Sequence, residues 1–494
     1  MTLQESIKKL LIFIAIFGTS FKCIAQENPQ KPNIVFILAD DFGYSSLNSY
    51  GADKNLVRTP QIDRIADKGM RFLNASTPAS ICTPTRYGFL TGRYPWRSGL
   101  KYGVTHILSE LLPDTNRITV ADWLSERGYN TAAIGKWHLG YGHGHREDEP
   151  LEYTKKVSPG PLDLGFDYHF GVPQNHDDAL GVFIENDHIY GIRSDRVHPY
   201  SRSFYGQRYI GYDAPQRVNK DVMEVLTDKS VDWIKQQSSE NPFFLYFAAV
   251  AVHHPITPSD YMRGMSDCGP YGDFIQDLDL SVGRIIETLE YMNLMENTII
   301  IFSSDNGGDI PGANRPEAPE NQAISYGLKI NGDLRGDKHT IYEGGTNVPF
   351  IVSWPGNVKE GSVSDDMVNL LDIFATVCEI TDGNLPVSKD VAPDSYSFLP
   401  SLLNKTNPNP RTSMVTADVN GMHALRVGNW KYIDDTPPYG LPDDILKRLK
   451  EFEPQLYDLD KDPGETTNLY NENPGTAKKL LEELNGIRKA NFTR

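Results

Sequence analysis

The chain has 494 residues, with 48 basic against 65 acidic side chains and a formal charge of -17. That length accommodates two domains and a sizeable buried core, which excludes a small disulfide-stapled scaffold. The acidic balance excludes general binding to nucleic acid or anionic membranes, which need a basic face, so an anionic ligand must be drawn by a local basic pocket.

At the amino end Lys8 and Lys9 precede the apolar run Leu10 to Phe17, and Cys23-Ile24-Ala25 precedes Gln26. This charged, apolar, small-residue order predicts a secretory signal peptide over 1–25, cleaved after Ala25, and a mature protein that is periplasmic or secreted. The run is too short to span a bilayer, and no other segment approaches the ~20 apolar residues of a spanning helix. Of the four cysteines, Cys23 leaves with the signal. Cys268 and Cys378 read as unpaired buried thiols, although an oxidising compartment would permit them to pair.

Four apolar runs each end in polar residues. They are Asn33 to Ala39 before Asp40-Asp41, Thr131 to Gly135 before Lys136-Trp137-His138, Phe243 to Phe247 leading to His253, and Thr298 to Ser304 before Asp305-Asn306. They read as buried strands. Helical patterns lie at Pro60 to Lys68, Ile118 to Arg127, Val218 to Gln237 and Gly272 to Leu294. The alternation predicts an α/β fold over 26–410, a large and mostly parallel mixed sheet flanked by helices. Ligands of such sheets gather beyond the carboxyl ends of the strands, where the four polar clusters fall. Gly140 to Gly160 and Val182 to Tyr212 read as loops over the site. A helix at Asp366 to Thr381 and a loop to about Arg411 come next. Short alternating segments and a last helix at Gly475 to Ala490 then predict a smaller C-terminal α+β domain over 411–494 with a short antiparallel sheet.

The chemistry begins with the run Cys82-Thr83-Pro84-Thr85-Arg86-Tyr87-Gly88-Phe89-Leu90-Thr91-Gly92-Arg93. Pro84 suits the first turn of a helix, so Cys82 is expected just before the helix N-terminus, where free N–H groups favour an anion. Arg86 adds a planar fork suited to sulfate or phosphate oxygens. Asp40, Asp41, Asp305 and Asn306 supply hard oxygen donors at two strand ends, a set suited to Ca²⁺ or Mg²⁺ rather than zinc. Either string alone is an ordinary turn after a strand; together they read as one metal site. The cationic set is Arg86, Lys136, His138, His253 and Lys338.

The Cys82 run resembles the signature of type I formylglycine-dependent sulfatases, C-x-P-[ST]-R followed by x-x-x-L-T-G-R, and matches it at every fixed position. Gly135-Lys136-Trp137-His138-Leu139-Gly140, His253-His254-Pro255 and Lys338-His339-Thr340-Ile341-Tyr342-Glu343-Gly344-Gly345 match further strings of that family, as do Leu456-Tyr457-Asp458-Leu459 and Asp462-Pro463. The resemblance runs from about Lys31 to Leu469. It implies the alkaline phosphatase superfamily fold and hydrolysis of sulfate esters, with Cys82 oxidised to formylglycine (3-oxoalanine) by a formylglycine-generating enzyme. It further implies one Ca²⁺, with Mg²⁺ the poorer candidate, on Asp40, Asp41, Asp305, Asn306 and the modified Cys82. His253, the first residue of H-x-P, and Lys338 are implied to assist the leaving oxygen. Arg86 and Lys136 are implied to stabilise the hydrate and the sulfate, and His138 to take a proton from the second hydroxyl. Asn175, His176 and Asp177 match a segment that often touches substrate, and aromatic, His-rich loops point to a sulfated carbohydrate. A formylglycine-dependent phosphonate monoester or phosphodiester hydrolase, and a non-catalytic sulfated-glycan binding protein, are the competing readings. One departure occurs at Asn347, where many relatives carry arginine, which calls a supporting ion pair there into question.

Overall fold

The four strands read from the apolar runs lie side by side at the centre of a ten-stranded sheet. The structure is a computed structural model that describes residues 31–107, 109–142, 156–178, 180–200, 209–384, 386, 390–437, 440–449 and 452–494. The segment expected as a signal peptide and most of the expected loop Gly140 to Gly160 lie outside the described residues. The sheet comprises β1 (Asn33–Ala39), β2 (Met70–Phe72), β3 (Asn130–Lys136), β4 (Tyr168–Val172), β5 (Ile184–Glu185), β6 (His188–Ile189), β7 (Phe243–Ala248), β8 (Thr298–Ser304), β9 (Phe350–Ser353) and β10 (Ser362–Ser364). Their order is β10-β2-β9-β8-β1-β7-β3-β4-β5-β6.

The central run from β8 to β4 is parallel. Antiparallel pairings carry it outward through β9 and β2 on one side and through β5 and β6 on the other. The centre is buried on both faces, which is why its strands read as continuous apolar runs. Ile34, Phe36 and Leu38 enter one core, and Val35, Ile37 and Ala39 the other.

Helices α1 (Pro60–Asp67), α2 (Cys82–Thr91), α3 (Val120–Ser125), α4 (Val222–Ile234), α5 (Pro270–Tyr291) and α6 (Asp372–Asp382) accompany the sheet, and α7 (Pro474–Lys489) belongs to the C-terminal region. The helix expected from Asp366 begins only at Asp372. Val368–Asn369 is drawn into a two-residue pairing with Ala75–Ser76, and Asp372 turns the chain by accepting from the Asn369 N–H at 2.9 Å and pairing with Arg411 at 2.5 Å. Val182 to Tyr212, expected as loop, contains β5, β6 and an antiparallel pair, Ser194–Tyr200 with Tyr209–Asp213.

Helix α2 is the element that matters most for function, and all ten of its residues are buried. Cys82 is its first residue rather than the one before it, and extended Ile81 is the N-cap. At the other end Gly92 takes a left-handed conformation (φ 59°) that a side chain would disfavour, and its N–H closes on the Gly88 carbonyl. The Phe89 ring packs 4.5 Å from Phe36 and 5.0 Å from Tyr246, which locks the helix against β1 and β7.

The C-terminal region forms a separate antiparallel sheet of β11 (Ser413–Ala417), β12 (His423–Val427), β13 (Trp430–Ile433) and β14 (Gln455–Asp458). Helix α7 covers it, with Ala477, Leu480 and Leu484 packed among Leu425, Tyr432 and Leu456. The Ser80 N–H donates to the Ala417 carbonyl at 2.9 Å, so β11 props the chain two residues before Cys82. Pro32–Arg494 forms one compact unit. Among the described residues no helix is long and apolar enough to cross a membrane.

Candidate active site

Strand register assembles the site. Ala39 is paired with Ser304 and Gly135 with Ala248, so β1, β8, β7 and β3 end at one level. The next residues, Asp40 and Asp41, Asp305 and Asn306, and Lys136 with His138, enter one space, and the loop after β7 brings His253. Gly135, at φ 127°, passes so close to β7 that a Cβ there would lie 1.8 Å from the Ala248 carbonyl oxygen, which accounts for glycine before Lys136. Cys82 and Arg86 stand one turn apart on α2, on one helix face.

Asp40, Asp41, Cys82 and Asp305 offer ligand atoms that all lie within 4.8 Å of one another. Lys136 donates to both oxygens of Asp40, at 2.9 and 2.7 Å, and its Nζ is 3.5 Å from Cys82 Sγ. Arg86 binds Asp305 through Nε at 3.0 Å and a terminal nitrogen at 2.6 Å, and it donates to the Lys136 carbonyl at 2.8 Å. Lys338 donates to Asp41 Oδ2 at 2.6 Å, and the Asn306 amide donates to Asp41 Oδ1 at 2.8 Å. His253 Nε2 is 3.6 Å from Asp41 Oδ2. Every one of these groups is at most 4% exposed.

Two backbone conformations that the sequence did not announce aim this set. Asp41 and His138 both sit at positive φ, 58° and 55°, a region costly for non-glycine residues. Each is held there, Asp41 by its N–H on Asp305 Oδ1 at 3.2 Å and His138 by its N–H on the Pro173 carbonyl at 3.0 Å. The hydroxyls of Thr83 and Thr105 both donate to the His138 carbonyl, at 2.8 and 2.9 Å. His138 Nε2 lies 3.1 Å from the Thr105 carbonyl, which can only accept, so Nε2 carries the proton. Nδ1 is the basic nitrogen, buried and without a hydrogen-bond partner among the described residues.

Burial and the crowd of charges set the protonation states. Burial, reinforced by Asp305 and Asp41, outweighs Lys136 and Arg86 and pushes Asp40 up to about 7. At Asp305 burial pushes upward, but Arg86 and Lys136 together overcome it and hold the carboxyl below its usual range. Burial drives the Cys82 thiol up to about 12 despite Lys136 and Lys338, so it is not an ionised nucleophile. Burial and then neighbouring cations keep His138 and His253 neutral. At Lys338 burial favours the neutral amine, yet Asp41 prevails and the ammonium is retained.

A divalent cation fits these residues. Three carboxylates converge, one of them pushed up in pKa by burial and by the other two, and Asn306 Oδ1 is buried with no hydrogen-bond partner among the described residues. A hard cation resolves both conditions. Asp40, Asp41 and Asp305 balance Arg86, Lys136 and Lys338, so an added ion would leave a positive excess suited to a sulfate group.

The Asn175-His176-Asp177 segment follows β4. His176 is fixed by contacts of Nε2 with the Pro255 carbonyl and Thr257 hydroxyl, both at 3.0 Å, while its Nδ1 and Asn175 Oδ1 are buried without hydrogen-bond partners among the described residues. Asp177 remains partly exposed. Sequence reading missed the supports Thr83, Thr105 and Tyr246, and the half-exposed His254 pairing with Asp309 at 3.3 Å. Threonine and tyrosine carry no motif signal, and Asp309 lies beyond the recognisable Asp305-Asn306-Gly307-Gly308 string.

Comparison with known proteins agrees with this geometry. Residues 32–383 match the family model Sulfatase, and residues 335–490 match that of the C-terminal part of N-sulphoglucosamine sulphohydrolase. An N-acetylgalactosamine-6-O-sulfatase of Bacteroides thetaiotaomicron is 35% identical over 94% of this chain and 94% of its own. Human arylsulfatase A is 32% identical over 93% of this chain and 87% of its own. A solved structure concerned with metabolism of multiple glycosaminoglycans by Bacteroides thetaiotaomicron superposes with a TM-score of 0.82 at 34% identity, covering 93% of this chain and 100% of that one. Members of this family generally use a formylglycine and a divalent metal ion. The chain belongs to the sulfatase family and is a sulfuric ester hydrolase.

Proposed function

We propose that the protein removes sulfate from a sulfated carbohydrate, with residues 26–410 as catalytic domain and 411–494 as a smaller C-terminal domain. Cys82 is converted to formylglycine by a maturation enzyme, one calcium ion is held by residue 82 with Asp40, Asp41, Asp305 and Asn306, and the enzyme works after export to the periplasm or outside the cell. The observation that carries this reading is the convergence of a buried, protonated Cys82 with three carboxylates and three fixed cations at the strand ends. A thiol that is not ionised makes sense as the precursor of another reagent. Calcium suits an all-protein oxygen set better than magnesium, which prefers to keep several waters.

When present, a formylglycine at residue 82 would supply a hydroxyl for in-line attack at sulfur, and an ion on Asp40, Asp41, Asp305 and Asn306 would offset the charge of the sulfate oxygens. The chain's own residues do the rest. Arg86 and Lys136 spread positive charge around residue 82 and the sulfate, preorganised by their bonds to Asp305 and Asp40. Lys338 and His253 stand together at Asp41 to meet the departing alcohol oxygen. Burial, and after it the neighbouring cations, keep His253 neutral in the free protein; the anionic ester offsets those cations, which lets His253 take up the proton it then donates. His138 Nδ1 accepts a proton at residue 82 as sulfate leaves. Asn175, His176 and Asp177 contact the sugar.

Measuring sulfate released from defined sulfated oligosaccharides tests this reading. Sugars 6-sulfated on N-acetylgalactosamine come first, because the relative covering 94% of this chain bears that name. Turnover of at least one sulfated sugar, well above that of an aryl phosphate diester, is the expected outcome. Faster phosphodiester cleavage would assign a phosphonate or phosphodiester hydrolase, and binding without turnover a non-catalytic glycan-binding protein.

A further inference from the structure

We propose that Lys431 and Glu465, both from the C-terminal region, are positioning residues for the reaction, joined to Glu343 in a buried clasp that fixes Lys338 and Asn306. This rests on the reading of the strand-end cluster as the reaction centre. The Lys431 ammonium donates to Glu343 at 2.9 Å and meets Glu465 at 2.9 Å, and none of the three residues is more than 5% exposed. Arg426 approaches the other oxygen of Glu343 at 3.6 Å. The ion pair that asparagine at 347 called into question is therefore supplied by β12 and β13, with the Asn347 side chain adding only an amide contact to the Glu343 carboxylate at 3.3 Å.

From the clasp, a short path of backbone contacts leads to the site. Glu465 accepts from the Glu343 N–H at 2.7 Å, and its own carbonyl accepts from Arg335 at 2.8 Å. The Gly344 N–H in turn donates to the Arg335 carbonyl at 2.7 Å. The segment so held presents the Gly345 carbonyl to the N–H of Gly307, next to Asn306, at 2.9 Å. Approach there is so close that a Cβ on Gly307 would lie 1.8 Å from the Gly344 carbonyl oxygen, so the 343–346 turn acts as a wall behind the Asn306 loop. Lys338 is tied to the Asn306 loop that this wall backs, through its N–H on the Gly308 carbonyl at 3.1 Å. Displacing the turn shifts an ion ligand and the leaving-group ammonium together. Glu343, Lys431 and Glu465 touch neither ion site nor substrate space; their effect passes through Gly307 and Gly308.

The test compares Glu465→Ala, which removes the acceptor for Glu343, with Glu465→Gln, which keeps an acceptor, in protein whose residue-82 maturation is quantified by mass spectrometry. Both are assayed well below their melting temperatures for kcat, KM and calcium dissociation constant. Loss of a supporting hydrogen bond of this kind costs about 10- to 100-fold in metal affinity or rate. Glu465→Ala is expected to lose that in kcat and to bind calcium more weakly with KM little changed, and Glu465→Gln to recover most of both. Glu343→Gln preserves volume and leaves one carboxylate for Lys431, so it gives a folded second variant, expected to lose about tenfold in kcat. A purely structural clasp would lower melting temperature alone. Folded, matured variants whose kcat and calcium constant match the parent would overturn the proposal, while an inactive parent would instead count against the reading of the site.

Discussion

Alanine at position 82 is expected to abolish sulfate release while leaving the fold intact. Removing a nucleophile that acts as one unit with its neighbours typically costs about 10⁴-fold or more in kcat. The sulfur is a small part of a helix whose position is set by Phe89, Phe36 and Tyr246, so the loss in stability should stay near 1 kcal/mol, the usual scale for deleting a small buried group. Thermal unfolding together with a sulfate-release assay on the purified variant checks both halves. Retained turnover would show that the reaction does not pass through residue 82.

Replacing Lys338 by methionine should separate rate from ion binding. Its ammonium lies 2.6 Å from Asp41 Oδ2 and is the cation placed for the leaving oxygen. Removing one such preorganised donor commonly costs about 10²–10³-fold in kcat, or ~2.7–4 kcal/mol. The same change withdraws a positive charge from an ion ligand, so calcium should bind more tightly to the variant. Steady-state kinetics and calorimetric calcium titration would measure the two effects. Weaker calcium binding would mean that Lys338 supports Asp41 in the ion site rather than competing for it.

How much of this was legible depended on whether the information was contiguous. The central strands β1, β3, β7 and β8 are buried on both faces and read as unbroken apolar runs, and each ends in a short polar string. The cluster could therefore be assembled residue by residue before any geometry was known. The outer strands β2, β9 and β10 have three or four residues each, too few for a periodic signal. The start of α6 was misplaced because its boundary is set by Asp372 pairing with Arg411, which lies 39 positions away. The clasp was illegible for the same reason, since Lys431 and Glu343 are 88 positions apart and neither belongs to a charge pattern of its own. The left-handed backbones of Asp41 and His138 follow from bonds to Asp305 and Pro173, contacts made only once the strands are in register.

The proposed reaction depends on one covalent change, because a thiol pushed up to about 12 and enclosed by three carboxylates is a poor nucleophile. The most direct measurement is mass spectrometry of the peptide spanning Cys82 to Arg93, from protein produced in a host that makes formylglycine. An aldehyde or its hydrate at position 82, in proportion to specific activity across preparations, is the expected result. An unmodified thiol in fully active protein would contradict the account.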